Sequence, residues 1–126
     1  MPKTSRETAA RVEDVGVMEG RYAELGGYTV GFETFRADAD AAPLFRGLPD
    51  DRCQSRHWGY VLRGRLTLRY TDREEVYAEG DAYYAPSGHV PVVTAGTEVV
   101  EFSPTEEMAR ATEVVARNLA GASPPA

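Results

Sequence analysis

The sequence predicts an all-β fold, an antiparallel barrel or sandwich, that is followed by one C-terminal α-helix. Short segments rich in aromatic and β-branched residues recur between residues 28 and 102, as is typical of strands. Glycine, proline and aspartate separate these segments and predict turns between them. Helical periodicity is confined to residues 104–119. Short strands at this spacing are typical of β-sandwiches and β-barrels.

Composition restricts the class of protein. The chain has 126 residues, which suits one domain, and its 42% hydrophobic and 27% charged content is typical of a globular protein. Its net charge of −6 argues against a nucleic-acid partner and against an anionic membrane surface. The single cysteine cannot form an internal disulfide, and no apolar signal region is visible at the N-terminus. We therefore expect a cytoplasmic protein.

The composition also predicts three regions along the chain. Residues 1–15 are polar with alternating charges, and we expect a flexible N-terminal arm. Residues 16–120 are expected to form the β domain with its helix at about 104–119. Residues 121–126 are small or proline, which predicts a frayed tail.

Seven strands are predicted in order. Leu66, Leu68 and Tyr70 alternate with polar residues, which indicates a strand with one buried face. The Ala- and Asp-rich stretch 36–43 is expected to be a loop with room for one helical turn. The predicted strands are residues 28–35, 58–62, 65–70, 75–78, 82–85, 90–94 and 97–102.

The helix has a start signal of its own. Ser103-Pro-Thr-Glu106 matches a capping box with proline at the first helical position. An apolar stripe follows, which predicts packing on the barrel exterior or at a dimer interface. The stripe consists of Met108, Ala111, Val114 or Val115, and Leu119.

Candidate metal ligands are concentrated in two glycine-bounded β-segments. Cys53 and His57 precede Gly64, and His89 follows Gly88; these are the chain's one cysteine and both of its histidines. A thiolate and two imidazoles suit zinc first, with iron, nickel or copper as alternatives. Three protein ligands leave a position open for water or substrate. The alternative is a buried free thiol beside histidines that bond to the backbone.

The glycine and proline framework resembles the cupin superfamily, whose motifs have the form G(X)5HXH(X)3–4E(X)6G and G(X)5PXG(X)2H(X)3N. Gly64 matches the closing glycine of the first motif, and Gly80, Pro86 and Gly88 match the second. His57 then stands at the family's glutamate position, and Asp51 and Cys53 stand at its two histidine positions. The family's last histidine position is Pro91, two residues after His89. The resemblance covers roughly residues 28–103.

The resemblance implies a cupin-like jelly-roll barrel with a site inside it, and a homodimer. By analogy with the family, Tyr83 faces inward and lines a substrate pocket. The function expected first is a metal-dependent enzyme that acts on a small organic molecule as an isomerase, lyase, hydrolase or oxygenase. The alternatives are a non-catalytic sensor or carrier of a small molecule or metal, and a degenerate barrel that holds no metal. The catalytic residues are left unassigned.

Three carboxylates are further candidates for the site. Asp51 is a possible fourth ligand, although a solvated turn residue in Pro49-Asp-Asp-Arg52 is the preferred interpretation. Glu98 and Glu101 lie on opposite faces of one predicted strand, so at most one of them can point into the barrel. An inward carboxylate near a metal can act as a general base.

Overall fold

The computed structural model describes residues 2–121, which form two antiparallel sheets. The elements in chain order are β1 Arg11–Asp14, β2 Met18–Leu25, β3 Tyr28–Phe35, β4 Ala39–Asp40, 3₁₀ turns at Ala42–Phe45 and Pro49–Asp51, β5 His57–Arg63, β6 Arg65–Arg69, β7 Glu74–Ala78, β8 Ala82–Ala85, β9 Val90–Val93, β10 Glu98–Pro104 and α1 Thr105–Gly121. The six-stranded sheet has the order β1-β2-β3-β10-β5-β8, and the four-stranded sheet has the order β4-β9-β6-β7.

The main core lies between the inner faces of the two sheets. Val61 and Val99 contribute from the larger sheet, and Leu66, Leu68 and Val93 contribute from the smaller one. Their neighbours along each strand point to solvent, because side chains alternate between the faces of a sheet. The fold is therefore the predicted all-β barrel with one C-terminal helix, and the seven predicted strands correspond to β3 and β5–β10.

The prediction of a flexible arm over residues 1–15 is wrong for residues 11–14. These residues form edge strand β1, which pairs with β2 from Arg11 opposite Tyr22 to Asp14 opposite Glu19. Arg36 holds the strand end through two hydrogen bonds to the Asp14 carboxylate, at 2.8 and 2.9 Å. Charged residues are common on edge strands because only one side is paired and the rest faces water. The β domain therefore begins near residue 11.

Helix α1 is confirmed, but its predicted cap is not. Ser103 lies inside β10 rather than ahead of the helix, and its hydroxyl bonds to His57. The helix packs on its own barrel, where Ala111 is buried with Phe45. Asn118 Nδ2 fixes it further by donating to the carbonyl of Leu44 at 2.7 Å. The predicted frayed tail lies outside the described residues, except for Gly121, which ends α1.

No helix within residues 2–121 is long and apolar enough to cross a lipid bilayer.

Candidate metal centre

Backbone pairing brings two of the candidate ligands together. Cys53 N donates to the His89 carbonyl at 2.9 Å, and Gly88 N donates to the Cys53 carbonyl at 2.8 Å. Gly88 has φ +96°, a conformation that glycine adopts at little cost, so the chain can turn just before His89. These backbone hydrogen bonds join the first motif region to the second and place the Cys53 and His89 side chains next to each other. His57 adds the third side chain at the start of β5.

The three predicted ligands face one another inside the barrel. Cys53 Sγ lies 3.8 Å from His57 Nε2, and the His57 and His89 ring centroids are 4.9 Å apart. One ligand atom from each residue lies within 4.8 Å of the other two. A tetrahedral zinc site places sulfur and nitrogen ligand atoms roughly 3.4–3.6 Å apart. The geometry therefore fits a metal after a small contraction of the cluster.

His89 has a free ligand atom. Its Nδ1 donates to the Pro86 carbonyl at 2.9 Å, which leaves Nε2 with the lone pair. The residue is only 1% exposed, and Nε2 has no hydrogen-bond partner among the described residues. A buried polar atom without a partner is costly, and metal-binding histidines typically donate their other nitrogen to a carbonyl in this way. His89 therefore has the hydrogen-bond arrangement that a metal-binding histidine would need.

His57 is positioned by a residue that the sequence analysis assigned elsewhere. Its Nδ1 lies 2.6 Å from the Ser103 hydroxyl oxygen, and both residues are buried. With Nδ1 protonated and donating to Ser103, His57 Nε2 carries the lone pair and accepts the hydrogen bond of the neutral Cys53 thiol in the metal-free protein. Strand alternation could have predicted that Ser103 faces inward, because it shares a face of β10 with Glu101.

Burial keeps all three ligand groups neutral in the metal-free protein at pH 7. It lowers the pKa of His57 and His89 to about 4, and it raises the pKa of the Cys53 thiol to about 12. Neutral imidazoles are the ligand form of histidine, whereas a thiol must lose its proton to the ion. Metal binding at this site is therefore expected to release one proton from Cys53.

The cluster lines a cavity of about 360 Å³, together with other polar residues that include Glu33 and Glu101. This volume is within the usual range of small-molecule sites. Apolar side chains line much of the remaining wall, among them Phe35, Val93, Met108 and Val115. The cavity therefore suits a small, mainly apolar molecule that places one polar end near the cluster.

Tyr83 faces inward as predicted, but it does not line the cavity as expected. Its ring stacks on Tyr77 with 4.6 Å between centroids, and its hydroxyl donates to Glu101 at 2.6 Å. Glu101 lies between Tyr83 and the cavity, so Tyr83 supports the wall from behind.

The three carboxylate candidates, Asp51, Glu98 and Glu101, point in different directions. Asp51 is exposed and accepts a hydrogen bond from Gly47 N, so it is a turn residue. Glu98 points outward and pairs with Arg6 at 2.7 Å, whereas Glu101 points into the cavity. Glu33 also lines the cavity and was missed by the sequence analysis. Strand alternation could have indicated its direction, because Glu33 lies two residues after Gly31 on β3 and the two share one face of the sheet.

No family model matches the sequence, and no curated protein matches it. Solved structures do match. The polyketide cyclase RemF from Streptomyces resistomycificus is 18% identical, with a TM-score of 0.58, over 82% of this chain and 79% of that one. An RmlC-like cupin from Shewanella frigidimarina is 18% identical, with a TM-score of 0.54, over 80% of this chain and 88% of that one. HppE in its FeII form is 10% identical, with a TM-score of 0.55, over 82% of this chain and 60% of that one.

Proposed function

The chain has the cupin fold, and on that premise we propose that it binds a divalent metal ion through Cys53, His57 and His89. We further propose that it is an enzyme that acts on a small, mainly apolar molecule in the adjoining cavity. The observation that carries the proposal is the buried Nε2 of His89, which has no hydrogen-bond partner within residues 2–121. Cys53, His57 and His89 also each offer one ligand atom within 4.8 Å of the other two.

The donor set favours zinc, because one thiolate and two imidazoles are usual ligands of this ion. Iron, nickel and copper are the alternatives. A bound ion would supply Lewis acidity or lower the pKa of a bound water. The chain's own groups position the ligands and form the cavity. Pro86 and Ser103 orient the two histidines, and the cavity wall, to which α1 contributes, is mainly apolar. Isomerase, lyase, hydrolase and oxygenase chemistry all remain compatible with this arrangement.

Elemental analysis of the purified protein tests the metal proposal. We expect about one metal ion per chain in the wild type, and loss of the ion in Cys53→Ala and His57→Ala, because each variant lacks one of only three protein ligands. Asp51→Asn is the matched control, since Asp51 is exposed in the same segment, and this variant is expected to keep its ion. A folded wild type without metal that neither substitution alters would contradict the proposal and favour the metal-free barrel.

A substrate screen with metal-free and metal-loaded protein separates an enzyme from a carrier. Metal-dependent turnover supports the enzyme. Ligand binding without turnover across the screen contradicts it and favours the sensor or carrier function.

A further inference from the structure

Two carboxyl groups occupy the cavity beside the three metal-ligand candidates. Glu33 on β3 and Glu101 on β10 both line it, and both side chains are half-buried because they face its interior. The two strands are neighbours, and Glu101 pairs with Gly31 while Glu33 pairs with Val99. This register places the two carboxyl groups diagonally across one face, where each affects the pKa of the other.

Each carboxyl group is held by a buried tyrosine. Tyr22 OH donates to Glu33 Oε2 at 2.7 Å, and Tyr83 OH donates to Glu101 Oε2 at 2.6 Å. The tyrosines come from β2 and β8, on either side of the carboxyl pair. The pair is thus fixed from both directions within one sheet.

Glycines make room for both tyrosine rings. A Cβ at Gly31 would lie 2.8 Å from a ring carbon of Tyr22, and a Cβ at Gly59 would lie 2.5 Å from the Tyr83 hydroxyl. Gly31 and Gly59 are the partners of Glu101 on the two adjacent strands. Large residues and glycines therefore alternate along one row across five strands, and each tyrosine ring lies over a glycine. The row is Tyr22, Gly31, Glu101, Gly59 and Tyr83.

The surroundings keep a proton on the pair. Burial, followed by the charge of Glu101, raises the pKa of Glu33 to about 7, and burial also raises that of Glu101. Two adjacent carboxylates cannot both ionise without strong repulsion, so the proton belongs to the pair rather than to one residue. Burial raises the pKa of both tyrosines, which therefore remain donors. The titratable or charged groups that line the cavity with the pair, or act on its charge, are Arg11 and Glu13 of β1, Tyr22 of β2, Asp40 of β4, Cys53, His57 of β5, Tyr83 of β8 and His89.

A second observation indicates that this is a ligand site. His89 lies in the wall of the same cavity, its buried Nε2 has no hydrogen-bond partner in the described part of the chain, and the cavity has room for a small molecule. We propose that Glu33 and Glu101 form the acid–base pair of the site and act on a small, mainly apolar ketone with a hydrogen on the carbon next to its carbonyl. This inference rests on the proposed function, because it names the substrate class and proton-transfer groups of the same cavity.

The proton transfer balances without a co-reactant. The ionised member of the pair takes the proton from the carbon next to the carbonyl. The C–H electron pair becomes a C=C bond, and the carbonyl π pair moves to oxygen. The protonated member then gives its proton to that oxygen, so that an enol forms. One proton has been taken up and one given, and the pair again holds a single proton for the reverse step.

Infrared spectroscopy with carboxyl-labelled glutamate tests the shared proton directly. We expect a protonated carboxylic-acid band near neutral pH that disappears as pH rises. In each single variant the band is expected to disappear at a lower pH than in the wild type, because the remaining carboxyl group has lost its like-charged neighbour. The two single variants are Glu33→Gln and Glu101→Gln. The double variant is expected to lack the band. Glu98→Gln is the matched control, since Glu98 lies on β10 but pairs outward with Arg6, and its band should be unchanged. A wild type without this band at neutral pH overturns the proposal.

Hydrogen–deuterium exchange of 2-tetralone, followed by proton NMR in D₂O, tests the chemistry. We expect the wild type to accelerate exchange next to the carbonyl over buffer, and each Gln variant at the pair to lose about 100-fold or more of that acceleration. Glu98→Gln is expected to retain it. No acceleration by the wild type, or full acceleration by Glu33→Gln and Glu101→Gln, overturns the proposal. The infrared band must also persist in metal-free protein, so a failed metal proposal and a failed acid–base proposal give different results.

Discussion

Gly64→Ala is expected to destabilise the folded chain by about 3–5 kcal/mol. Gly64 has φ +80°, a left-handed conformation that costs a residue with a Cβ about 1–3 kcal/mol. The added Cβ would also lie 2.7 Å from the Thr97 Cα, which is backbone and cannot rotate away. Thr97 is fully buried and bonds the backbone of Arg65 through both its donor and its acceptor, so relief of the clash must break these bonds.

Gly80→Ala is the matched control for this substitution. Gly80 has φ +90°, but a Cβ there would meet no atom of residues 2–121 within 4 Å, so only the conformational cost of about 1–3 kcal/mol applies. Urea denaturation of both variants measures the difference as a change in the unfolding free energy. Equal losses at the two positions would show that the contact with Thr97 has no energetic role.

His89→Ala is expected to weaken metal binding by more than about 100-fold. Loss of a residue that merely supports a ligand already costs about 10–100-fold, and in the proposed site His89 supplies a ligand atom itself. Ser103→Ala provides the graded comparison, because it removes only the hydrogen-bond partner of His57 Nδ1 and should cost about 10–100-fold.

Competition titration of Zn²⁺ against a chromophoric chelator measures both affinities, with circular dichroism to confirm that each variant is folded. Wild-type affinity in a folded His89→Ala protein would exclude His89 as a ligand. An affinity in Ser103→Ala as low as in His89→Ala would show that Ser103 does more than orient His57.

The strands that the sequence predicts best are those with one solvent-exposed face and one buried face. Leu66 and Leu68 alternate with Arg65, Thr67 and Arg69, and this pattern directly identifies β6. β1 has the sequence RVED and none of its residues is fully buried, so its composition does not differ from that of a solvated arm. Its pairing depends on a distant partner, β2, which local patterns do not specify.

The same limit applies within the site. Cys53, His57 and His89 could be selected because their side-chain chemistry is rare in this chain and they lie near the framework glycines. Alternation could place Glu101 and Glu98 on opposite faces, but it could not bring Glu101 beside Glu33 or Ser103 beside His57. Those contacts follow from the register of β10 against β3 and β5, which is a property of the folded sheet.

The absorption spectrum of the cobalt-substituted protein tests the central claim most directly, because it reports both a thiolate ligand and the coordination number. If Cys53, His57 and His89 hold the ion, addition of Co²⁺ to metal-free wild type gives a thiolate-to-cobalt charge-transfer band and the intense visible bands of a four-coordinate ion. In Cys53→Ser the charge-transfer band is absent. A wild-type spectrum identical to that of Cys53→Ser, with only the weak bands of hydrated cobalt, would contradict a metal centre in this barrel.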